Sequence, residues 1–192
     1  MYNWTKEQTD LLKEIKTASD FDRIALLVNK SRSAVKTKAN RMGIHAYPEL
    51  TEYHKQIPEN IKAYLSGHFD GEGCVRMGLK DSGKLRQRLT VTVNVSSRDA
   101  LNLYAKYFSG SIRENKYSTN KQLYIWTLQK NNDLYNFIEA VLQFSIEKRP
   151  QLILAKEWLL KRAEERKTVA LSDDFIQYSN DIAEQLKQLK KL

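Results

Sequence analysis

Hydrophobic spacing divides the chain into segments of different period. In residues 1–46 apolar side chains recur three and four apart, as in helices with one buried face. Leu11, Leu12 and Ile15 form a first stripe behind Thr5 and Gln8, which have the spacing of a capping box. Phe21, Ile24, Ala25 and Leu27 form a second. Ala34, Val35 and Ala39 form a third, capped by Ser31 or Ser33 and ended by Gly43. The period fails over residues 47–59, which contain Pro48 and Pro58 and read as a partly extended linker. It returns in a helix that Asn60 is placed to cap, with Ile61, Leu65 and Phe69 inward.

From Cys74 the period is two. Val75, Met77 and Leu79 alternate with Cys74, Arg76, Gly78 and Lys80, then Asp81-Ser82-Gly83-Lys84 makes a turn. Leu89, Val91, Val93 and Val95 alternate with Arg88, Thr90, Thr92, Asn94 and Ser96. This predicts an antiparallel pair with one apolar face and one basic, amide-rich face. A helix over 98–108 follows, then a second hairpin from 111–116 and 122–129, then helices over 133–144 and from Pro150 to about Lys167. In the fourth strand Tyr124, Trp126 and Leu128 oppose Ile125 and Thr127, and the sequence leaves its facing open. Residues 167–192 read as a helical tail begun at Ser172. The prediction is α+β: a three-helix region over 1–46, a linker over 47–59, a helix-strand-strand-helix-strand-strand-helix unit over 60–166, and the tail.

Charge sharpens this division. The net charge is +9, and residues 74–130 alone hold 11 basic and 3 acidic side chains. A block of one sign on predicted strands points to a polyanion, nucleic acid first. A single cysteine, Cys74, excludes an internal disulfide framework and a cysteine-rich zinc site, and suits a reducing, cytoplasmic compartment. No apolar run is long enough to span a bilayer, so no membrane partner is expected.

Candidate chemistry concentrates where the two periods meet. Ala63, Gly67 and Gly71 lie four apart and make a smooth stripe on one helix face, which lets another backbone approach closely. Asp70 and Glu72 then fall at the helix C-terminus, where the macrodipole disfavours negative charge. A cation in front of them resolves that conflict, and Mg²⁺ suits a site of few carboxylates plus phosphate oxygens. A glycine-rich helix stop is the plainer alternative for the same residues.

Leu65-Ser66-Gly67-His68-Phe69-Asp70-Gly71-Glu72-Gly73 resembles the signature of the LAGLIDADG homing endonucleases in its L-A-G-x-x-D-G-E-G form, with Ser66 replacing alanine and His68 an apolar residue. The predicted element order over 60–166 is that of one repeat of the fold. The resemblance implies that Glu72 is the metal-binding acid, with the Gly71 carbonyl beside it, and that Asp70 is structural. It implies that Lys148 assists catalysis near the last crossover, with Arg149 behind it. Ser97, or the adjacent Arg98, would position solvent at the end of the second strand. One motif copy implies a homodimer that cuts a near-palindromic duplex, the sheet lying in the major groove. Arg76, Lys80, Arg86, Arg88, Thr90, Thr92, Asn94, Arg113 and Asn115 would face that groove, while Lys84, Lys116 and Lys121 meet phosphates. A non-cleaving DNA-binding regulator and an RNA maturase of the same fold remain alternatives.

Trp4-Thr5-x-Glu7-Gln8 and Ser33-Ala34-Val35-x-x-Lys38-Ala39-x-Arg41 resemble Myb/SANT-like or helix-turn-helix modules. That likeness would place Arg32, Lys36, Lys38 and Arg41 along a DNA-recognition helix. A small packing domain with ordinary surface lysines is the alternative.

Overall fold

The structure, a computed structural model, describes residues 4–15, 20–44, 50–79, 87–116, 122–165 and 171–190. Lys80, Lys84, Arg86, Lys121 and both expected hairpin turns lie outside these, as do the side chains of Asn115 and Lys116. The chain divides into two compact units, one of residues 1–49 with 161–172 and one of residues 50–160 with 173–192.

The first unit carries helices α1 (Lys6–Leu12), α2 (Asp20–Leu27) and α3 (Arg32–Arg41). Thr5 and Gln8 close the capping box at α1, and Ser31 caps α3 by accepting from the Ala34 N–H at 3.2 Å. Leu12, Ile24, Val35 and Ala39 are fully buried, and Trp4, Leu11 and Ile44 pack around them. Asn29, in the turn between α2 and α3, has a φ of +50°, a conformation asparagine tolerates better than most residues. Gly43, at φ +70°, ends α3 as its position predicts.

The second unit is built on α4 (Glu59–Glu72), which passes directly into β1 (Gly73–Leu79). Pro58, not Asn60, stands at the N-cap of α4, and Asn60 lies within its first turn. β2 (Gln87–Val95), α5 (Arg98–Phe108), β3 (Ser111–Lys116), β4 (Gln122–Leu128), α6 (Asn131–Leu142), α7 (Arg149–Glu164) as far as Leu160, and α8 (Asp173–Gln188) complete it. The four strands form one antiparallel sheet in the order β1-β2-β4-β3. Val75 lies opposite Val91 and Met77 opposite Leu89, so the alternating apolar positions share one face.

That face meets the helices. Trp126 and Leu128 are buried on it, which settles the facing of β4: Ile125 and Thr127 belong to the open side. Phe69, Tyr104, Phe108, Trp126 and Phe137 make an aromatic cluster, with Phe69 edge-on to Phe137 at 5.0 Å between ring centroids. Each such buried ring contributes about 1.5–3 kcal/mol. The Trp126 indole N–H donates to the Ser109 carbonyl at 2.7 Å, so the polar end of the largest core residue is satisfied.

Two segments join this unit through polar contacts. Residues 50–57, within the expected linker, lie along α6: the Asn136 side chain accepts from the His54 N–H at 2.8 Å and donates to the Thr51 carbonyl. The Tyr53 hydroxyl donates to Asp133 at 3.4 Å. α8 packs on β1 and β2 through Phe175, Ile182 and Leu186. The Trp158 indole N–H of α7 donates to Ser179, and the Gln87 amide donates to Asn180. Among the described residues, no helix is long and apolar enough to cross a membrane.

Candidate active site

The turn from α4 into β1 leaves no room for a side chain. A Cβ on Gly73 would strike the ring and carbonyl oxygen of Phe69, which is wholly buried. Gly73 is therefore fixed by steric necessity, and it sets the direction in which Glu72 leaves the helix. Gly67 and Gly71 differ: a Cβ on either would meet nothing within 4 Å. Their missing side chains do nothing for the packing of this subunit, and Ala63 is exposed beside them.

Asp70 and Glu72 have different fates. Asp70 accepts the Ser145 hydroxyl at 2.5 Å, the Ile146 N–H at 2.7 Å, the Lys148 N–H at 3.1 Å and the Glu147 N–H at 3.3 Å. It thereby caps the entrance to α7, whose positive dipole end offsets the unfavourable field of its own helix. Burial pushes the Asp70 carboxyl up, but those four hydrogen bonds outweigh it and hold the group below its ordinary value. The Glu72 carboxylate is exposed and engages no hydrogen bond or ion pair among the described residues. The electrostatic conflict expected for both acids is thus resolved for Asp70 by protein alone, and Glu72 is left available.

Ser145 was not singled out by sequence reasoning. It is buried, and its only signal was a polar residue four before α7. The two departures in the motif also find partners. Ser66 is buried and donates to the Val141 carbonyl at 2.9 Å, tying α4 to α6. The Tyr104 hydroxyl gives its one hydrogen to the Leu65 carbonyl at 2.9 Å, so the His68 Nδ1 at 3.0 Å from it is the donor.

Residues 65–150 match the sequence profile of the LAGLIDADG endonuclease family. Over this segment, a little under half of the chain, the sequence is similar to that family. Three solved structures are similar to the chain. The homing endonuclease I-CvuI, in complex with its target, is 18% identical with a TM-score of 0.52, over 68% of this chain and 82% of that one. The homing endonuclease I-TnaI is 19% identical with a TM-score of 0.51, over 70% and 97%. The LAGLIDADG homing endonuclease I-GzeII, in complex with its DNA target, is 20% identical with a TM-score of 0.52, over 64% of this chain and 43% of that one. At these identities the likeness shows the fold. A comparison with curated protein sequences finds no match.

Around this segment the remaining candidates fall into groups. Gly73 stands opposite Val93, so the end of β2 runs past the helix-strand junction toward Ser97 and Arg98. Both are exposed at the entrance to α5, and no hydrogen bond among the described residues ties either to Glu72. Lys148 lines a cavity with Gly73 and Cys74, the residues that follow Glu72. On the open face of the sheet Arg76, Asn94 and Arg113 are exposed, while Arg88 donates to Gln129 at 3.1 Å. Thr90 and Thr92 lie on that face and are only 5% and 7% exposed. β2 is a central strand, and these short side chains sit between Arg76 and Cys74 on one flank and β4 on the other.

The donor set tests the expected metal. Among the described residues, no group of three or more His, Cys, Asp or Glu side chains converges to hold an ion. One chain offers the Glu72 carboxylate and, from the last turn of α4, the Gly71 carbonyl, which has no intrahelical partner. Such a set fits Mg²⁺ only when further oxygens come from a phosphate, water or a second chain.

In the first unit α3 bears no acid and four basic residues. Lys36 and Arg41 are exposed and Lys38 is half-buried, whereas Arg32 is ion-paired with Asp22 at 3.0 Å.

Proposed function

We propose that the chain is a site-specific homing endonuclease that acts as a homodimer and makes a Mg²⁺-dependent double-strand break in a near-palindromic DNA site. The observation that carries this reading is the unequal treatment of the two motif acids. Asp70 is consumed by the α7 entrance, whereas Glu72 stands exposed beside a helix face whose glycines serve no purpose within the subunit. A second copy docked on that face brings a second Glu72 to the same place. The length comparison supports this: the chain spans 43% of I-GzeII but 97% of I-TnaI.

In this site the Glu72 carboxylates, with the Gly71 carbonyls, would hold the cation. Bound there, it would supply positive charge for the phosphate and lower the pKa of water. Lys148, fixed through its backbone by Asp70, supplies positive charge near the scissile phosphate, and Ser97 or Arg98 orients solvent from the end of β2. Arg76, Arg88, Asn94 and Arg113 read base edges, and Arg and Asn suit bidentate contacts to guanine and adenine. α3 of the first unit adds a further DNA contact through Lys36, Lys38 and Arg41.

The test is cleavage of a duplex selected from a random pool by its binding to the protein, with and without Mg²⁺. Wild type is expected to cut both strands only with the cation, and Glu72→Gln to bind without cutting. Tight binding by wild type without any cleavage contradicts the nuclease reading and favours a DNA-binding regulator.

A further inference from the structure

We propose that Lys190, at the C-terminal end of α8, is a second phosphate-binding residue of the cleavage centre. The proposal rests on the active-site reading above and extends it to a part of the chain outside the matched motif and family segment. A cavity of about 450 Å³ opens beside the helix-strand junction. Its lining includes Gly73 and Cys74 from the start of β1, Glu147, Lys148 and Gln151 from the α7 entrance, and Lys190. Residues separated by more than a hundred positions thus line one cavity, together with the two residues that follow Glu72.

The end of α8 is held there by its own packing. Phe175 and Leu186 are each 1% exposed, and Trp158 both donates to Ser179 and packs against Phe175 at 5.9 Å between centroids. The Lys190 N–H closes a last turn on the Lys187 carbonyl at 3.3 Å. Lys190 is exposed, and among the described residues neither it nor Lys148 is ion-paired. The lining therefore counts two lysines without an ion pair among the described residues against one acid, Glu147. It also holds an unmet polar group: Gln151 is 6% exposed, and its Oε1 meets no donor among the described residues. A cavity with an excess of lysine over acid, lined by the residues that follow the motif acid, is complementary to a phosphodiester. Water hydrating that phosphate would supply the donor that the Gln151 oxygen lacks. Lys148 faces it from the helix N-terminal side and Lys190 from the opposite element, so a backbone phosphate is held between two chain segments.

The probe is the selected duplex, and the readouts are the dissociation constant at several salt concentrations and the single-turnover cleavage rate with Mg²⁺. Lys190→Gln is expected to weaken binding about 3–10-fold and to reduce the salt slope by about 1–2, since each neutralised phosphate contributes about 0.9 and a homodimer has two such lysines. Lys190→Arg is expected to restore both. Lys187→Gln, on the same turn but paired with Glu184 at 3.2 Å, is the control that leaves slope and affinity unchanged. An unchanged slope in Lys190→Gln, or equal losses in both lysine variants, overturns the proposal. The nuclease reading fails separately, if wild type binds the duplex and never cuts it; the salt slopes still decide the role of Lys190.

Discussion

The Asp70 carboxylate accepts the backbone N–H of Lys148 at 3.1 Å, so the motif helix and the lysine expected to assist catalysis are parts of one hydrogen-bonded assembly. The same carboxylate holds Ser145, Ile146 and Glu147. Asp70→Ala leaves three N–H groups and a hydroxyl without their acceptor, and hydrogen bonds to a charged group are worth about 1.5–3 kcal/mol each but do not add fully. A loss of about 2–4 kcal/mol is expected in denaturant melts. DNA affinity, carried largely by the sheet, should fall less than the cleavage rate.

Acid stability follows from the same residue. Its pKa is lowered in the fold, so its contribution is complete above the ordinary aspartate value of about 3.9 and is lost as pH falls through the lower native one. Wild type should therefore lose more melting temperature than Asp70→Asn between about pH 4 and pH 2. Parallel losses in both proteins would assign acid unfolding to other groups.

The motif glycines should separate by substitution. Gly73→Ala forces a Cβ into Phe69 and is expected to destabilise the subunit by about 2–4 kcal/mol. Gly67→Ala meets open space within a helix, where alanine is favoured by up to about 1 kcal/mol. It should leave the subunit as stable or more so while weakening self-association of the free protein several-fold, read by sedimentation at several concentrations with and without the duplex. Binding of two subunits to one duplex outweighs that loss.

Arg41 and Arg32 should also differ. Arg41 is exposed on α3, whereas Arg32 is paired with Asp22. Arg41→Ala is expected to weaken binding to the selected duplex several-fold and reduce the salt slope. Arg32→Ala should do less of either, and loss of an exposed ion pair costs at most about 1 kcal/mol of stability. Equal salt slopes for wild type and Arg41→Ala would make the first unit a packing module.

What the sequence made legible was whatever depends on neighbours along the chain. The period-two run of Val75 and Met77 against Leu89 and Val91 predicted strands whose register then pairs those residues. Thr5 with Gln8 predicted a capping box that forms. The motif marked Asp70 as structural but gave no sign of its partners, because Ser145 and Ile146 lie far along the chain from it. Residues 50–57 read as linker because they dock through His54, Thr51 and Tyr53, polar contacts that leave no hydrophobic period. Thr90 and Thr92 were on the expected face, but alternation says nothing of how deeply a central strand lies between its neighbours. That Lys190 and Lys148 line one cavity had no local signal at all.

The central claim is that this chain holds half of an active site and that a second copy completes it through the Gly67–Gly71 face of α4. Disulfide trapping tests this most directly: Gly67→Cys in a Cys74→Ser background, oxidised with the selected duplex present. Two cysteines can bridge only when their Cα atoms come within about 7 Å. The account expects rapid, near-complete cross-linking of the Gly67→Cys protein into a dimer, and none when the cysteine replaces exposed Leu26 instead. A Gly67→Cys protein that stays monomeric on DNA it binds tightly, or cross-links no faster than the Leu26→Cys control, contradicts it.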